Sequence, residues 1–562
     1  MPLNSYEFML VFLPVVFIGY CLVQRYGSRR LALGWLLFAS VAFYSASGVG
    51  GVLLVSFSVL LDYMAARLFI ATPLRQRRLR RAIIQVAISV DILCLCYFKY
   101  LNFVVDTVNA IFFSHVSHSS AYLPLGLSFL TFQKIGFLTD LRSGQIKEPR
   151  LFDFALFCLF FPRAVAGPII RYKDFTNQLI GTDTTIKYAD LAVGFCLVAV
   201  GLFKETVIAS IAGQFVPSAF EPFIPNEQIS FATSWIGALA YTFQIYFEFS
   251  GYSDIALGAA RLFGIRLPIN FNSPFKSNSL VEFWSRWHIT LTRFLTWQIY
   301  IPLVRYLTGV RISAGKSVLR GASSNASAVT VLIWVPTVFT MTLSGLWHGA
   351  GWNYILWGAT HGVCLSINQS WRLVRSRIFP DDAFYRTMMA PIGRGLTLMT
   401  VIVALVMFRS DSMNSAVTIL RGMLSLNGLL PVSIQWLISH NASVNVTNLV
   451  FGAYWYPCMC LGLFFLLVIV APNSLELLSR LHPALDFPPD GRDASPASES
   501  ANVGTSRVAR WKERVTAGQE FVSLGRGSGA ASMHIAVILY AIFFVLGVSA
   551  IERSGPFIYG QF

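Results

Sequence analysis

Two histidines stand where ionisable side chains are costly. Residues 340–363 read TMTLSGLWHGAGWNYILWGATHGV, and His348 and His361 are the groups there that titrate near neutrality. Gly345, Gly349 and Gly351 crowd the first of them. One apolar segment precedes it, Val329 to Phe339, and another follows, Trp352 to Ile367. An imidazole in such a run needs a partner, a cavity or a function. Three chemistries are open to it. Metal ligation needs several His, Cys or carboxylate ligands at suitable spacing. Only His288, His348 and His361 lie in apolar sequence, and no carboxylate is close in sequence to the last two, so no metal is expected. A proton relay needs carboxylates through the spans, for which Asp62, Glu248 and Asp254 are candidates; that keeps a transporter or flippase in play. A general base fits best: a neutral imidazole takes the proton from an alcohol attacking a thioester. Neighbouring glycines would then let substrate approach the backbone and leave amide N–H groups for an oxyanion. The bland alternative for His348 is a satisfied core histidine.

His361 lies thirteen residues beyond His348, out of reach of an i,i+4 pairing, and shares a helical stripe with Tyr354 and Trp357. A ring packed on aromatics explains it better than direct chemistry. His288 sits in the tryptophan-rich stretch Ile269–Val304, i,i+4 from Trp284, and is the candidate partner of His348. That stretch carries too many polar residues for a simple span. It reads as interfacial or re-entrant helices, with Trp284, Trp287 and Trp297 suited to the membrane interface. The catalytic candidates are thus His348 and His288. Trp347, Gly349, Asn353, His361, Trp284, Trp287 and Glu248 are candidates for lining the substrate path. The other five histidines, at 115, 118, 440, 482 and 534, lie in loops or at span edges.

The elements that must position these groups are membrane helices. Of the 562 residues, 55% are hydrophobic and only 12% charged, too few charges for a soluble domain. Several runs reach the roughly 20 apolar residues that cross a bilayer. The first, residues 6–24, has no basic leader and no small-residue cleavage site, so it is expected to stay as a helix. Leu31–Tyr44, Gly51–Ile70 with Asp62 inside, and Ala82–Phe113 follow; Asp91 and Lys99 interrupt the last, which is expected to be tilted or broken. The net charge of +16 gathers in short loops at 25–30 and 71–81, beside the spans. Those loops are two spans apart, so both are placed in the cytoplasm and the N-terminus on the far side. No stacking platform or base-reading motif accompanies the charge, which argues against nucleic acid.

Leu123–Leu141 and Phe152–Ile169 come next. The latter contains Pro162-Arg163 and Gly167-Pro168, which break regular helix at a depth where irregular backbone survives only inside protein or beside a wet cavity. Leu191–Phe215 and Phe231–Phe263 are further spans. In the second, Gln244, Glu248 and Tyr252 recur at i, i+4 and i+8, either a seam gluing helices or a cavity wall. Beyond the histidines come Ala390–Phe408, an amphipathic piece in 410–430, Val450–Val470 and Met533–Ala550. The eight cysteines lie in apolar runs without a CxxC pair, and no disulfide is expected. The chain divides into a core at 1–425, further core helices at 426–472, a polar, partly disordered loop at 473–531, and a terminal span with its tail at 532–562.

EFWSRWHITLT followed by YIPL, then LSGLWHGAGWNYILWGATHG, resembles the membrane-bound O-acyltransferase (MBOAT) family. Within it the chain is similar to the bacterial alginate O-acetyltransferase membrane proteins, and more distantly to the D-alanyl transferase of teichoic acid export. PRAVAGPIIRY, YFEFSGYSDIALGAARLFGI and MFRS add to the match, which spans residues 5–425. The resemblance implies an all-α polytopic fold, a ring of about 11–13 transmembrane helices plus re-entrant or interfacial ones around a central tunnel. It places His348 at the family's catalytic histidine and His288 at its other functional one. It implies an O-acyltransferase of the bacterial inner membrane, with acetyl-CoA as donor from the cytoplasm, no bound cofactor, and an exported polysaccharide as acceptor. A periplasmic acetyltransferase partner and membrane lipids complete the implied surroundings; a protein or lipid hydroxyl is the alternative acceptor. One departure stands out. Relatives carry Trp-Phe-Arg-Asp before Tyr-x-Tyr-Ile-Pro-Leu, whereas this chain has Arg293-Phe-Leu-Thr-Trp-Gln298 before Ile-Tyr-Ile-Pro-Leu, so substrate choice is expected to differ.

Overall fold

The computed structural model describes residues 2–46, 48–113, 115–116, 124, 126–179, 187–221, 229–321, 323–425, 446–486 and 529–553. Expectations placed on His118, His440, the end of the 410–430 piece and most of the polar loop fall outside them. The architecture is all helical. In chain order come α1 (Glu7–Tyr26), α2 (Arg29–Ser45), α3 (Val49–Ala71), α4 (Arg77–Phe112) and α5 (Leu127–Arg142). Then α6 (Leu151–Leu159), α7 (Tyr172–Leu179), α8 (Tyr188–Gly213) and α9 (Phe231–Leu262) follow. The site region is built from α10 (Leu280–Arg286), α11 (Ile289–Leu295), α12 (Ile301–Ser313), α13 (Ala326–His348) and α14 (Trp352–Ile378). The remainder is α15 (Asp382–Arg409), α16 (Met413–Met423), α17 (Val446–Val470), α18 (Ser474–Leu477) and α19 (Gly529–Ser549). Among the described residues, six helical stretches are long and apolar enough to cross a membrane: α1, α3, α4, α8, α13 and Thr387–Arg409 of α15.

The longest helix shows how charge is carried at depth. The break expected at Asp91 and Lys99 does not occur: α4 is one continuous helix of 36 residues, about 54 Å long at 1.5 Å per residue. It stays whole because its charges are answered by neighbours. Lys134 of α5 lies 3.1 Å from Asp62 of α3 and also bridges Asp91 of α4, and it hydrogen-bonds Ser58. All three charged groups are buried, so the pairing knits α3, α4 and α5 together.

The Pro-Arg segment behaves as its sequence required. After α6 the chain makes a single tight turn, Phe161–Arg163, then runs irregularly to α7, buried in protein as far as Pro168. Arg163 is fully buried, its guanidinium 4.4 Å from the Phe157 ring and 5.3 Å from that of Phe175.

At the centre, α9 is buried along nearly its whole second half. It runs antiparallel to α8 at backbone contact. A Cβ on Gly251 would lie 2.6 Å from the Gly201 carbonyl oxygen, and one on Gly258 would lie 2.6 Å from that of Gly194. Small residues permit this approach between membrane helices. Beside the polar stripe of α9, Asp254 pairs with Lys204 of α8 at 2.6 Å and accepts from Ser474 of α18 at 2.7 Å. Residues 473–486, the start of the polar segment, are folded on the core. There Asn473 caps α18, and its amide also reaches Asn272 and Ser273. The glycine contact is testable. Gly251→Ala should destabilise the purified protein by about 1–3 kcal/mol in thermal unfolding. Gly309→Ala, where nothing lies within 4 Å, should leave it unchanged or slightly raised.

Candidate active site

The end of α13 carries His348, and the start of α14 returns antiparallel beside it. The two helices touch through backbone. Gly345 faces the Tyr354 carbonyl, Gly358 faces that of Met341, and Gly362 packs on Val338. Gly349 lies under the Tyr354 ring and Gly351 beside the Asn353 side chain. These glycines therefore serve close packing. The expectation that they leave amides free for an oxyanion is not met: Gly349 N donates to Gly345 O at 3.3 Å and Gly351 N to Gly349 O at 3.1 Å. Asn353 Nδ2 donates to Ser410 O at 2.9 Å, fastening the hairpin to the end of α15.

His288 arrives from another direction. It sits between α10 and α11 with φ 43° and ψ 51°, a left-handed conformation uncommon for a non-glycine residue. The surroundings fix it. Trp287 N donates to Phe283 O at 2.8 Å and Ile289 N to Asn270 O at 2.9 Å. Thr290 Oγ1 donates to Asn270 Oδ1 at 2.6 Å and accepts from Ile169 N at 3.1 Å. The turn projects the imidazole to within 6.5 Å, ring centroid to ring centroid, of His348. Both histidines are almost wholly buried, at 1% and 3% exposure.

An aromatic shell surrounds the pair. Trp347, Trp357 and Phe408 stand 4.8, 5.2 and 5.4 Å from the His348 ring, and Phe249 stands 4.8 Å from that of His288. Phe129 of α5 touches both His288 and Trp347. Phe129, Phe249 and Phe408 were not singled out from sequence, because phenylalanines abound in every span. His361 is one layer removed. Its Nδ1 accepts from Trp284 Nε1 at 3.4 Å and its ring packs 5.0 Å from Trp357, the aromatic support expected of it. Trp284 and Trp287, expected at the interface, are buried; Trp287 stacks on Phe283 and meets Phe271 away from the histidines. Only Trp297 of the three is exposed, with Arg171 over its ring at 4.6 Å. Glu248 is buried on α9 next to Phe249, and its charged neighbour is Glu205 of α8. At the departure from the family pattern, Gln298 donates to Thr139 of α5 at 2.9 Å, and Arg293 pairs with Asp486.

Lys99 also belongs to the site. The last carbonyls of a helix lack intrahelical partners. At the end of α13 they are met from α4: Lys99 Nζ donates to Trp347 O, and Tyr100 OH donates to Leu346 O at 2.9 Å. The residue before His348 is thereby held by a hydrogen bond from a separate helix.

Residues 94–313 match the family model described as MBOAT, membrane-bound O-acyltransferase family. A peptidoglycan O-acetyltransferase of Helicobacter pylori is 32% identical over 456 residues, covering 76% of this chain and 80% of its own. A protein of Pseudomonas aeruginosa named probable alginate O-acetylase is 33% identical over 472 residues, covering 83% and 81%. A teichoic acid D-alanyltransferase of Streptococcus thermophilus is 32% identical over 261 residues, covering 46% and 59%. The chain belongs to the membrane-bound O-acyltransferase family. It is a multi-pass membrane acyltransferase.

The Lys99 contact generates a prediction. Lys99→Met should lower turnover per folded protein by about 10- to 100-fold, the scale of a small misplacement of a reacting group. Lys99→Arg, which keeps a cationic donor, should recover most of it in the same acyl-transfer assay.

Proposed function

We propose that this protein transfers an acetyl group from acetyl-CoA, presented from the cytoplasm, to a hydroxyl of an exported polysaccharide, and that His348 is the general base. The reading extends to a bacterial inner-membrane setting and to a periplasmic acetyltransferase that receives or relays the acetyl group. The observation that carries it is the convergence of His348 and His288, from distant parts of the chain, within one dry aromatic shell. The names of the relatives support acetyl as the group and a polysaccharide as the acceptor. Transport along a Glu248/Asp254 seam is less well supported, since Asp254 is committed to Lys204 and Ser474.

The chemistry is direct acyl transfer. The acceptor oxygen attacks the thioester carbonyl carbon while its proton passes to the His348 imidazole. The carbonyl π pair moves to oxygen. As the carbonyl reforms, the carbon–sulfur bond breaks and the thiolate leaves with the proton from His348. Burial excludes water that would hydrolyse the thioester. His288, a ring's width away, orients the base or the acceptor hydroxyl.

With labelled acetyl-CoA and an acceptor glycan, label should move to an ester and free CoA thiol should appear in step. His348→Ala should cut that rate by about 10³-fold or more while the protein still inserts and accumulates; near-normal ester formation would sink the base assignment. His288→Ala should lose about 10²-fold, mainly in kcat. An unchanged rate would confine His288 to packing.

A further inference from the structure

The mechanism leaves one charge without a holder. When the acceptor attacks, the carbonyl oxygen becomes an oxyanion, and such sites supply fixed donors for it. The glycine amides beside His348 are already bonded to backbone oxygens. Two other donors belong to rings that flank His348.

A buried indole N–H normally finds an acceptor. Among the described residues it does so for five other indoles. Trp35 donates to Val16 O at 2.9 Å, Trp235 to Met423 O at 3.1 Å, and Trp334 to Ser370 Oγ at 3.0 Å. Trp371 donates to the Tyr385 hydroxyl at 2.7 Å, and Trp284 to His361. Trp347 and Trp357 differ. Their side chains are buried, and neither Nε1 has a hydrogen-bond partner. These are the two tryptophans whose rings flank His348, at 4.8 and 5.2 Å. Two further orphaned groups share the helix face of His348: Ser344 Oγ and Thr340 Oγ1, at i−4 and i−8, are buried and without partners. Four unmet polar atoms thus belong to residues that flank the base or share its helix face.

We propose that the Trp347 and Trp357 indole N–H groups are the oxyanion donors of the acyl-transfer step. This rests on the reading of His348 as base. The acyl carbonyl oxygen accepts from the two indoles in the ground state weakly and as an oxyanion strongly. The bonds broken and formed are those given above; the indoles give up no proton. Their rings are fixed by packing, with Trp347 stacked on Phe132 and its own carbonyl held by Lys99, and Trp357 wedged between Phe408 and His361. The donors are therefore preorganised.

The test removes the N–H and keeps the shape. Trp347 or Trp357 is replaced in the full-length protein by β-(3-benzothienyl)alanine, an isostere with sulfur for N–H, with Trp347→Phe and Trp357→Phe as companions and the same isostere at Trp371 as control. Thiol release from acetyl-CoA is followed with an acceptor glycan. Each site replacement should lower kcat about 10²- to 10³-fold. KM for acetyl-CoA should move less than about threefold, and the Trp371 control should be unaffected. An intact kcat in both site isosteres, or a raised KM with kcat unchanged, overturns the assignment. His348→Ala, run in parallel, separates the two ideas. If it stays active while the isosteres fail, the base reading falls and the indole donors stand; if it is dead while the isosteres are active, the reverse holds.

Discussion

Backbone contact between α13 and α14 is the constraint on which the site depends. Two helices that meet through Gly345, Gly358 and Gly362 come closer than any side chain would allow, and their facing residues are fixed in register. His348 at the end of one and Trp357 and His361 on the other form a continuous row of edge-to-face rings as a result. Everything else joins this hairpin from outside. Phe408 comes from α15, Phe129 from α5, Lys99 from α4, and His288 from the turn between α10 and α11.

The molecule also has to hold polar groups in a solvent that cannot. It does so by committing them to one another. Lys134 answers two aspartates on different helices, and Lys204 answers Asp254. Arg163 is enclosed by two phenylalanine faces. Each arrangement removes a buried charge from isolation and ties together elements far apart in sequence. Beside His348 the indoles of Trp347 and Trp357 keep their N–H groups uncommitted, whereas Trp35, Trp235, Trp284, Trp334 and Trp371 spend theirs on acceptors.

Much of this was legible in the sequence. Long apolar runs marked α1, α3, α8 and α13, since the bilayer requires them, and two histidines in apolar surroundings marked the site. His361 as support followed from its stripe with Tyr354 and Trp357. What was not legible depended on contacts between distant segments. Lys99 read as an interruption of a span, because its acceptor is a carbonyl some 250 positions away. Trp284 and Trp287 read as interfacial, because composition cannot distinguish a ring facing headgroups from one facing other rings. The left-handed turn at His288 is imposed by Asn270 and the segment ending at Ile169, neither of them local. The glycines near His348 were seen but assigned to substrate, when their neighbours are the backbone and side chains of α14.

The paired glycines of α8 and α9 carry a mechanical consequence. Gly194 faces Gly258 and Gly201 faces Gly251, so each helix notches the other at two points seven residues apart. Sliding by even one position would drive a side chain into a carbonyl oxygen at both notches at once. The pair is a keyed joint, rigid along its length.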